Sequence, residues 1–174
     1  MGGMGGVFRD HKGDWIMGYQ HSSPSSSPLQ AELEALKEGF SIILTHGYTP
    51  PVVETDATKV IKILYSNCVP YNSTIVNCKW LMHQLKQPKI NHNFREGNKV
   101  AHRMAKEALK HARKHQLFDN PVPFVLNNLA MDKNGYVYLV KNISTNVCCS
   151  LAETGNLNVL EACNFVDDVT VGTP

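Results

Sequence analysis

Apolar and β-forming residues at the start of the chain lie in two short runs that predict a β-hairpin over residues 5–20. The runs cover residues 7–9 and 15–19, and β-formers on both sides of a polar turn are typical of a hairpin. The segment between them, 10–14, is rich in turn residues. A Ser- and Pro-rich stretch over residues 22–28 follows and is expected to be a loop.

A stripe of apolar residues with helical spacing predicts a helix from the end of this loop to about His46. Ser27 is a favourable N-cap, and Pro28 suits the first helical position. Gln30 lies where it would complete a capping box, and Gly47 is a typical C-terminal stop. The residues expected to be buried are Leu29, Leu33, Leu36, Phe40 and Ile43.

Further elements follow this first helix. Residues 52–56 predict a short strand that leads into a helix over 57–66, and another helix is expected over 73–86. Alternating side chains over 90–94 predict a strand, and a basic helix should cover 98–115. The order β-β-α-β-α-α-β-α therefore predicts an α/β or α+β fold with one mixed sheet. The basic helix should pack through small residues, namely Ala101, Met104, Ala105, Ala108 and Ala112.

The pattern changes after residue 118. A loop over 121–124 and a turn over 132–135 precede one more run with strand character, residues 136–140. Residues 144–174 contain four acidic side chains and no Lys or Arg. This composition predicts a polar, acidic tail whose order the pattern leaves open.

Composition places the chain among globular proteins. Of its 174 residues, 43% are hydrophobic and 18% are charged, which is sufficient for one packed domain. No apolar run approaches the roughly 18 residues of a membrane-spanning helix, and residues 1–10 lack the apolar core of a secretory signal. We therefore expect an intracellular protein, nuclear or cytoplasmic, with no membrane partner.

Positive charge is concentrated in residues 79–115. Ten Lys and Arg side chains lie in this stretch with two acidic ones, against a formal net charge of +2 for the whole chain. Such a density favours a polyanionic partner such as nucleic acid. A solvated helix face explains the charge alone equally well.

Three fragments in a fixed order resemble a known family. They are GGVFRDHKGDWIMGY (5–19), AELEAL (31–36) with VETD (53–56), and REGNKVAHRMAKEAL (95–109). Together they resemble the type 1 ribonuclease H domain, and especially the ribonuclease-H-like domains that are abundant in plants and related to retrotransposon reverse transcriptases. The expected organisation is such a domain over residues 1–118, a C-terminal extension over 119–143, and the acidic tail over 144–174.

The resemblance implies a function and a set of site residues. Enzymes of the family hydrolyse the RNA strand of an RNA–DNA hybrid with two Mg²⁺ ions held by four acidic positions, an arrangement suited to in-line displacement. Glu32 matches the second acid and Asp56 the third, so these two are the expected metal ligands. His102 stands where the family has its fourth acid, and an imidazole suits Zn²⁺ or Mn²⁺ better than Mg²⁺.

The two carboxylates have simpler explanations that stay open. Glu32 could be an acid of the first helical turn that is favoured by the helix dipole. Asp56 could be the N-cap of the helix that follows it, a role compatible with metal binding.

The first acid of the family lies on a first strand, just upstream of the Gly-rich turn in which this chain begins. We therefore expect a ribonuclease-H-like fold with the first strand missing, and Asp10 is no substitute because it lies in the hairpin turn. With two of four acids, hydrolysis by this polypeptide should be strongly impaired. Three interpretations follow: a hybrid endonuclease active in a longer form, an inactive nucleic-acid-binding module, or a retroelement-derived remnant.

Backbone contacts to nucleic acid depend less on the acids than on cations. The expected contacts come from Arg95, Asn98, Lys99 and Arg103, with the loop over 95–98 presenting the basic helix to phosphate. Gly97 and Asn98 could equally be only the turn and N-cap of that helix.

Loss of a central strand also bears on stability. It would remove several buried apolar side chains and leave two unpaired strand edges. We expect the isolated chain to be poorly stable, or another segment to fill the gap, for which residues 136–140 are the one spare run with strand character.

Overall fold

The computed structural model describes residues 1–48, 52–66, 73–111, 115–133 and 159–166. Within these residues, no helix is long and apolar enough to cross a lipid bilayer. The elements along the chain are β1 (Gly2–Arg9), β2 (Trp15–Ser23), α1 (Pro28–His46), β3 (Val52–Thr55), α2 (Thr58–Tyr65), α3 (Ser73–Gln84), β4 (Lys89–His92), α4 (Lys99–Ala108), β5 (Gln116–Phe118), a 3₁₀ turn (Pro123–Val125), α5 (Leu126–Lys133) and β6 (Val159–Val166).

The strands form one mixed sheet in the order β4-β3-β6-β1-β2-β5. β1 is antiparallel to β2 and to β6, and β2 is antiparallel to β5. β3 runs parallel to both β4 and β6. The prediction of an α/β or α+β fold with one mixed sheet is therefore confirmed, as is the hairpin at the start of the chain.

The central position that was expected to be vacant is occupied by β6. This strand pairs with β1 along its whole length, from Gly2↔Val166 to Arg9↔Val159, and with β3 from Val52↔Val159 to Thr55↔Ala162. The gap left by the family's first strand is thus filled by another segment, residues 159–166, which is one of the two outcomes expected from the sequence. Six of its eight residues are apolar, and two open strand edges favour such a segment. The run over 136–140 lies outside the described residues.

Helix α1 follows its sequence signals closely. The Ser27 side chain accepts a hydrogen bond from the Gln30 amide N–H, and Gly47 ends the helix in the left-handed conformation at φ 70°. The Gln30 side chain turns to the helix surface, where its amide donates to Glu34 Oε1 and Thr74 Oγ1. The predicted stripe is buried at Leu33, Leu36, Phe40 and Ile43, and Leu29 packs at its margin.

Helix α4 lies directly on the sheet because two glycines of β1 lie beneath it. A Cβ atom on Gly3 would be 2.1 Å from the carbonyl oxygen of Ala105, and one on Gly5 would be 2.5 Å from the Ala105 nitrogen. The predicted packing face is confirmed for Ala101, Met104, Ala105 and Ala108, all of which are buried. Small residues on both sides therefore set the close approach of helix and sheet.

Helix α4 ends at Ala108, earlier than predicted. The chain then turns back to the edge of the sheet, where the Ser22 hydroxyl donates to the His111 carbonyl and the Gln20 side-chain amide donates to Gln116 Oε1. The short strand β5 pairs with β2 there. These long-range hydrogen bonds at His111 and Gln116 compete with continuation of the helix past Ala108.

The extension beyond β5 packs on the same side of the sheet as α4. Val125 belongs to a small core with Val7, Val100 and Met104. Arg9 of β1 donates to Asp132 of α5 at 2.9 Å, and both side chains are largely buried. The structure therefore attaches α5 to the first strand through a buried ion pair.

Candidate functional site

Two carboxylates from distant parts of the sequence meet beside the end of β3. Glu32 lies on α1 between the buried residues Ala31 and Leu33, and its own side chain is half-buried. Asp56 follows the last residue of β3. Burial and then the nearby Asp56 carboxylate raise the pKa of Glu32 to about 7. The structure thus brings the two predicted acids into electrostatic contact, and one of them is easily protonated at neutral pH.

Helix capping explains neither carboxylate. Helix α1 begins at Pro28 and has no acidic residue in its first turn, so the dipole at its N-terminus does not account for Glu32. Helix α2 has Ala57 as its N-cap, and the Ala57 N–H donates to the Thr55 hydroxyl. Both simpler explanations are therefore wrong, and the proximity of the carboxylates needs another reason.

The loop before α4 is fastened to three consecutive residues at the end of β3. The Asn93 N–H donates to the Thr55 carbonyl at 3.0 Å, and its side-chain amide donates to Glu54 Oε2 at 2.8 Å. The Asn98 side-chain amide points to Asp56 Oδ1 at 3.4 Å. These bonds hold the residues between Asn93 and Asn98 against the carboxylate site.

Position 97 requires glycine because the loop leaves no space for a side chain there. A Cβ atom at this position would lie 2.5 Å from Asn93 Oδ1. The Gly97 N–H donates to the Phe94 carbonyl at 2.8 Å, which closes the turn. Gly97 therefore does more than form a turn. Because it has no side chain, the Asn93 side chain has room to form its hydrogen bond with Glu54.

Asn98 is the N-cap residue of α4, but its side chain makes no capping hydrogen bond. It is completely buried, and its amide is directed to Asp56. Direct contact between Asn98 and a nucleic acid, which the sequence predicts, is therefore incompatible with the structure. Asn98 can influence a ligand by holding Asp56 and the start of α4.

His102 lies one helical turn after Asn98, and its N–H donates to the Asn98 carbonyl at 3.1 Å. Burial and then the Arg95 guanidinium lower the pKa of His102 below its usual range, although the Asp56 carboxylate acts in the opposite direction. The imidazole is consequently neutral at pH 7. The structure therefore places His102 among the same charged groups as Glu32 and Asp56.

Two exposed cations border the carboxylates. Arg95 in the loop and Lys59 on α2 both favour ionisation of Glu32. Among the described residues, neither cation forms an ion pair within 4.0 Å. Sequence reasoning identified Arg95 but missed Lys59, Glu54 and Asn93, whose roles depend on contacts between distant segments.

The remaining basic candidates follow α4. Arg103 and Lys106 are exposed, whereas Lys99 is half-buried and lies near enough to Asp132 to favour its ionisation. Lys110, in the turn after α4, pairs with Glu107 of that helix at 2.7 Å. Arg95, Arg103 and Lys106 therefore form the accessible basic surface next to the carboxylate site, and we refer to these three residues as the basic ridge.

The residues at this site do not suit Mg²⁺. This ion requires oxygen ligands in near-ideal octahedral geometry. At this site Glu32 is easily protonated, Glu54 accepts a hydrogen bond from Asn93, and an imidazole and two cations lie near Glu32 and Asp56. In the part of the chain that the structure describes, no three His, Cys, Asp or Glu side chains come together in a way that could hold a metal ion.

Comparison with known proteins gives one informative match. A family model described as reverse transcriptase-like, a group with a ribonuclease-H-like fold, matches residues 1–108. These residues include β1 to α4, and therefore Glu32, Asp56 and His102. Comparison with curated proteins and with solved structures finds no match.

Proposed function

The chain belongs to the reverse transcriptase-like family of ribonuclease-H-like domains, and from this premise we propose that it is a nucleic-acid-binding domain for the backbone of an RNA–DNA hybrid. The observation that carries the proposal is the basic ridge of Arg95, Arg103 and Lys106 beside the Glu32–Asp56 pair. Exposed cations on a helix and on the loop that precedes it are suited to contacts with backbone phosphates.

The architecture supports this proposal because the ridge is held in a fixed position. Val100, Met104 and Ala108 anchor α4 to the sheet. The hydrogen bonds from Asn93 and Asn98 to the end of β3 fix the loop that carries Arg95. Cations on a rigid element lose little conformational freedom on binding, which favours affinity.

Hydrolysis is the second candidate activity, and one observation favours it. A carboxyl group with a pKa of about 7 beside a second carboxylate is typical of acid–base sites. The site nevertheless lacks the set of oxygen ligands that two-metal hydrolysis uses. We propose that the described site binds a hybrid without measurable cleavage in Mg²⁺.

Fluorescence anisotropy with a labelled RNA–DNA hybrid tests the binding proposal. The double variant Arg103→Gln/Lys106→Gln should bind the hybrid about tenfold or more weakly, because each lost phosphate contact removes favourable counterion release. Lys12→Gln is the matched control, since Lys12 is an exposed cation in the hairpin turn, which lies at the end of the sheet opposite Asp56. Equal affinity of the double variant and the wild type would overturn the proposal.

A cleavage assay on the same hybrid tests the proposal about hydrolysis. The wild type should show no hydrolysis above background with Mg²⁺, and Glu32→Gln and Asp56→Asn should leave that background unchanged. Robust hydrolysis by the wild type that either substitution abolishes would show that the carboxylates are catalytic and that the site was misjudged.

A further inference from the structure

Charge compensation at the carboxylate pair distinguishes this site from one built for divalent ions. A phosphate that approaches the Glu32–Asp56 pair is repelled whenever a carboxylate of the pair is ionised, and the repulsion is strong because Glu32 is partly buried. Some positive charge must therefore lie between the phosphate and the carboxylates. In this chain the nearby positive charge comes from the side chains of Arg95 and Lys59.

We propose that Arg95 and Lys59 bind a backbone phosphodiester directly beside Glu32 and Asp56, so that this site engages nucleic acid without a divalent ion. The inference rests on the proposed binding of an RNA–DNA hybrid and deepens it. It assigns the phosphate contact to two side chains, one of which, Lys59, lies outside the basic helix.

The exposure and position of the Arg95 and Lys59 side chains support this assignment. Both side chains are exposed, and both lie close enough to Glu32 to favour its ionised form. Within the described ranges, neither is engaged in an ion pair of 4.0 Å or less. Their donors therefore face solvent at the site, where a guanidinium can take two phosphate oxygens at once and an ammonium can take one.

The loop geometry supports it as well. Arg95 lies between Asn93, which is bonded to Glu54 and Thr55, and Asn98, which is directed to Asp56. The Arg95 carbonyl accepts a hydrogen bond from the Asn98 N–H at 3.2 Å. The backbone of this residue is therefore fixed before a ligand arrives, which is the condition for a specific phosphate contact.

The histidine at position 102 explains why phosphate binding at this site needs no divalent ion. The family pattern has a carboxylate at this position, and here a neutral imidazole takes its place. Removing one negative charge from the cluster leaves Arg95 and Lys59 sufficient to balance Glu32 and Asp56. His102→Asp should consequently convert the site from one that ignores divalent ions to one that needs them.

Hybrid binding measured by anisotropy at matched ionic strength, in a chelator and in millimolar Mg²⁺, tests the proposal. The wild type should bind at least as tightly in the chelator. Arg95→Gln and Lys59→Gln should each weaken binding about three- to tenfold and make the salt slope shallower by about one contact. Lys12→Gln again serves as the matched control and should leave affinity unchanged.

A second measurement separates metal binding from nucleic-acid binding. Calorimetric titration of Mg²⁺ into the free protein should give no heat above dilution for the wild type, and a binding signal for His102→Asp. The same variant should lose hybrid affinity in the chelator and regain it with Mg²⁺. Excess inorganic phosphate as a competitor distinguishes a site for a free anion, which it would occupy, from one that needs the polymer backbone.

The outcomes distinguish this inference from the function on which it rests. Failure of the wild type to bind the hybrid under any condition would overturn the proposed function. Hybrid binding that requires Mg²⁺ in the wild type, or that is unaffected by both Arg95→Gln and Lys59→Gln, would leave the function standing and overturn the inference. Displacement of the hybrid by low concentrations of inorganic phosphate would reassign the site to a free anion.

Discussion

At the scale of single residues, the site is assembled from side chains whose roles are visible only in part from the sequence. Glu32, Asp56 and His102 could be identified because they occupy positions within a recurring motif. Asn93 and Glu54 could not, because a hydrogen bond between residues that lie 39 positions apart leaves no local pattern. Asn98 was predicted to contact nucleic acid, but its side chain is buried and directed to Asp56, which indicates a supporting role.

The titration of Glu32 gives a prediction for stability. Its folded-state pKa is raised to about 7, so its contribution to stability is complete when the carboxyl is protonated and is lost as the pH rises through about 7. Glu32→Gln should therefore be more stable than the wild type by about 1–2 kcal/mol near pH 8, allowing for solvent screening, and nearly equal near pH 4, below the ordinary pKa of 4.5 for this carboxyl. Urea denaturation at the two pH values measures the difference.

Glu34 on the same helix provides a control of opposite sign. Burial acts against its ionisation, but hydrogen bonds from Lys37 and Thr74 outweigh this effect and lower its pKa. Glu34→Gln should therefore lose stability relative to the wild type near neutral pH, where the Glu34 carboxylate is ionised. If Glu32→Gln also proved less stable than the wild type above neutral pH, the account of the Glu32 environment would be wrong.

Gly97 gives a prediction that links the loop to binding. Gly97→Ala should destabilise the fold by about 1–3 kcal/mol, because the new methyl group displaces the Asn93 amide and strains the loop. It should also weaken hybrid binding through displacement of Arg95. In a double-mutant cycle with Asn93→Ala, the two free-energy changes should be clearly non-additive, since the second substitution removes the obstructing atom. Additive effects would show that the two residues act independently.

At the scale of elements, the sequence is informative where local signals are strong. Ser27, Pro28 and Gly47 define α1 at both ends, and its apolar stripe determines which face is buried. Helix α4 ends at Ala108 and not near His115 as predicted, because β2 provides a sheet edge with which His111 and Gln116 form hydrogen bonds. Strand β5 has only three residues and α5 has no strong helix signal, so both depend on tertiary contacts.

Strand β6 is the element that sequence reasoning missed most clearly. A strand that pairs with partners about 105 and 155 residues away in the chain has no local signature of its position. Its place between β1 and β3 removes the reason for expecting poor stability, since no open edge is left at the centre of the sheet. Whether the isolated chain is poorly stable stays a prediction, which denaturation experiments can test.

A proline scan tests the role of β6. Ala162→Pro should destabilise the fold by about 3 kcal/mol or more, because a central strand loses a ladder hydrogen bond to a neighbour. Leu117→Pro on the edge strand β5 should cost clearly less and serves as the control. Equal and small losses for both variants, measured by urea denaturation, would mean that β6 does not hold the centre of the sheet.

At the scale of the whole molecule, the arrangement separates a rigid apolar interior from one charged surface. The core between α1 and the sheet contains Tyr19, whose hydroxyl donates to the Ala35 carbonyl at 2.7 Å. The basic residues Arg95, Arg103 and Lys106 lie on α4 and on the loop that precedes it. This basic surface is consistent with the predicted polyanionic partner. We propose that this partner is an RNA–DNA hybrid.

The salt dependence of hybrid binding tests the central claim most directly. Anisotropy titrations of residues 1–174 with an RNA–DNA hybrid in the presence of chelator, at several salt concentrations, give log Kd against log salt. The basic ridge with Lys59 predicts binding that weakens steeply, with log affinity falling at a slope of about −0.9 per phosphate contact and a total of about −3 to −4. Absence of binding at low salt, or an affinity that does not change with salt, would contradict the account.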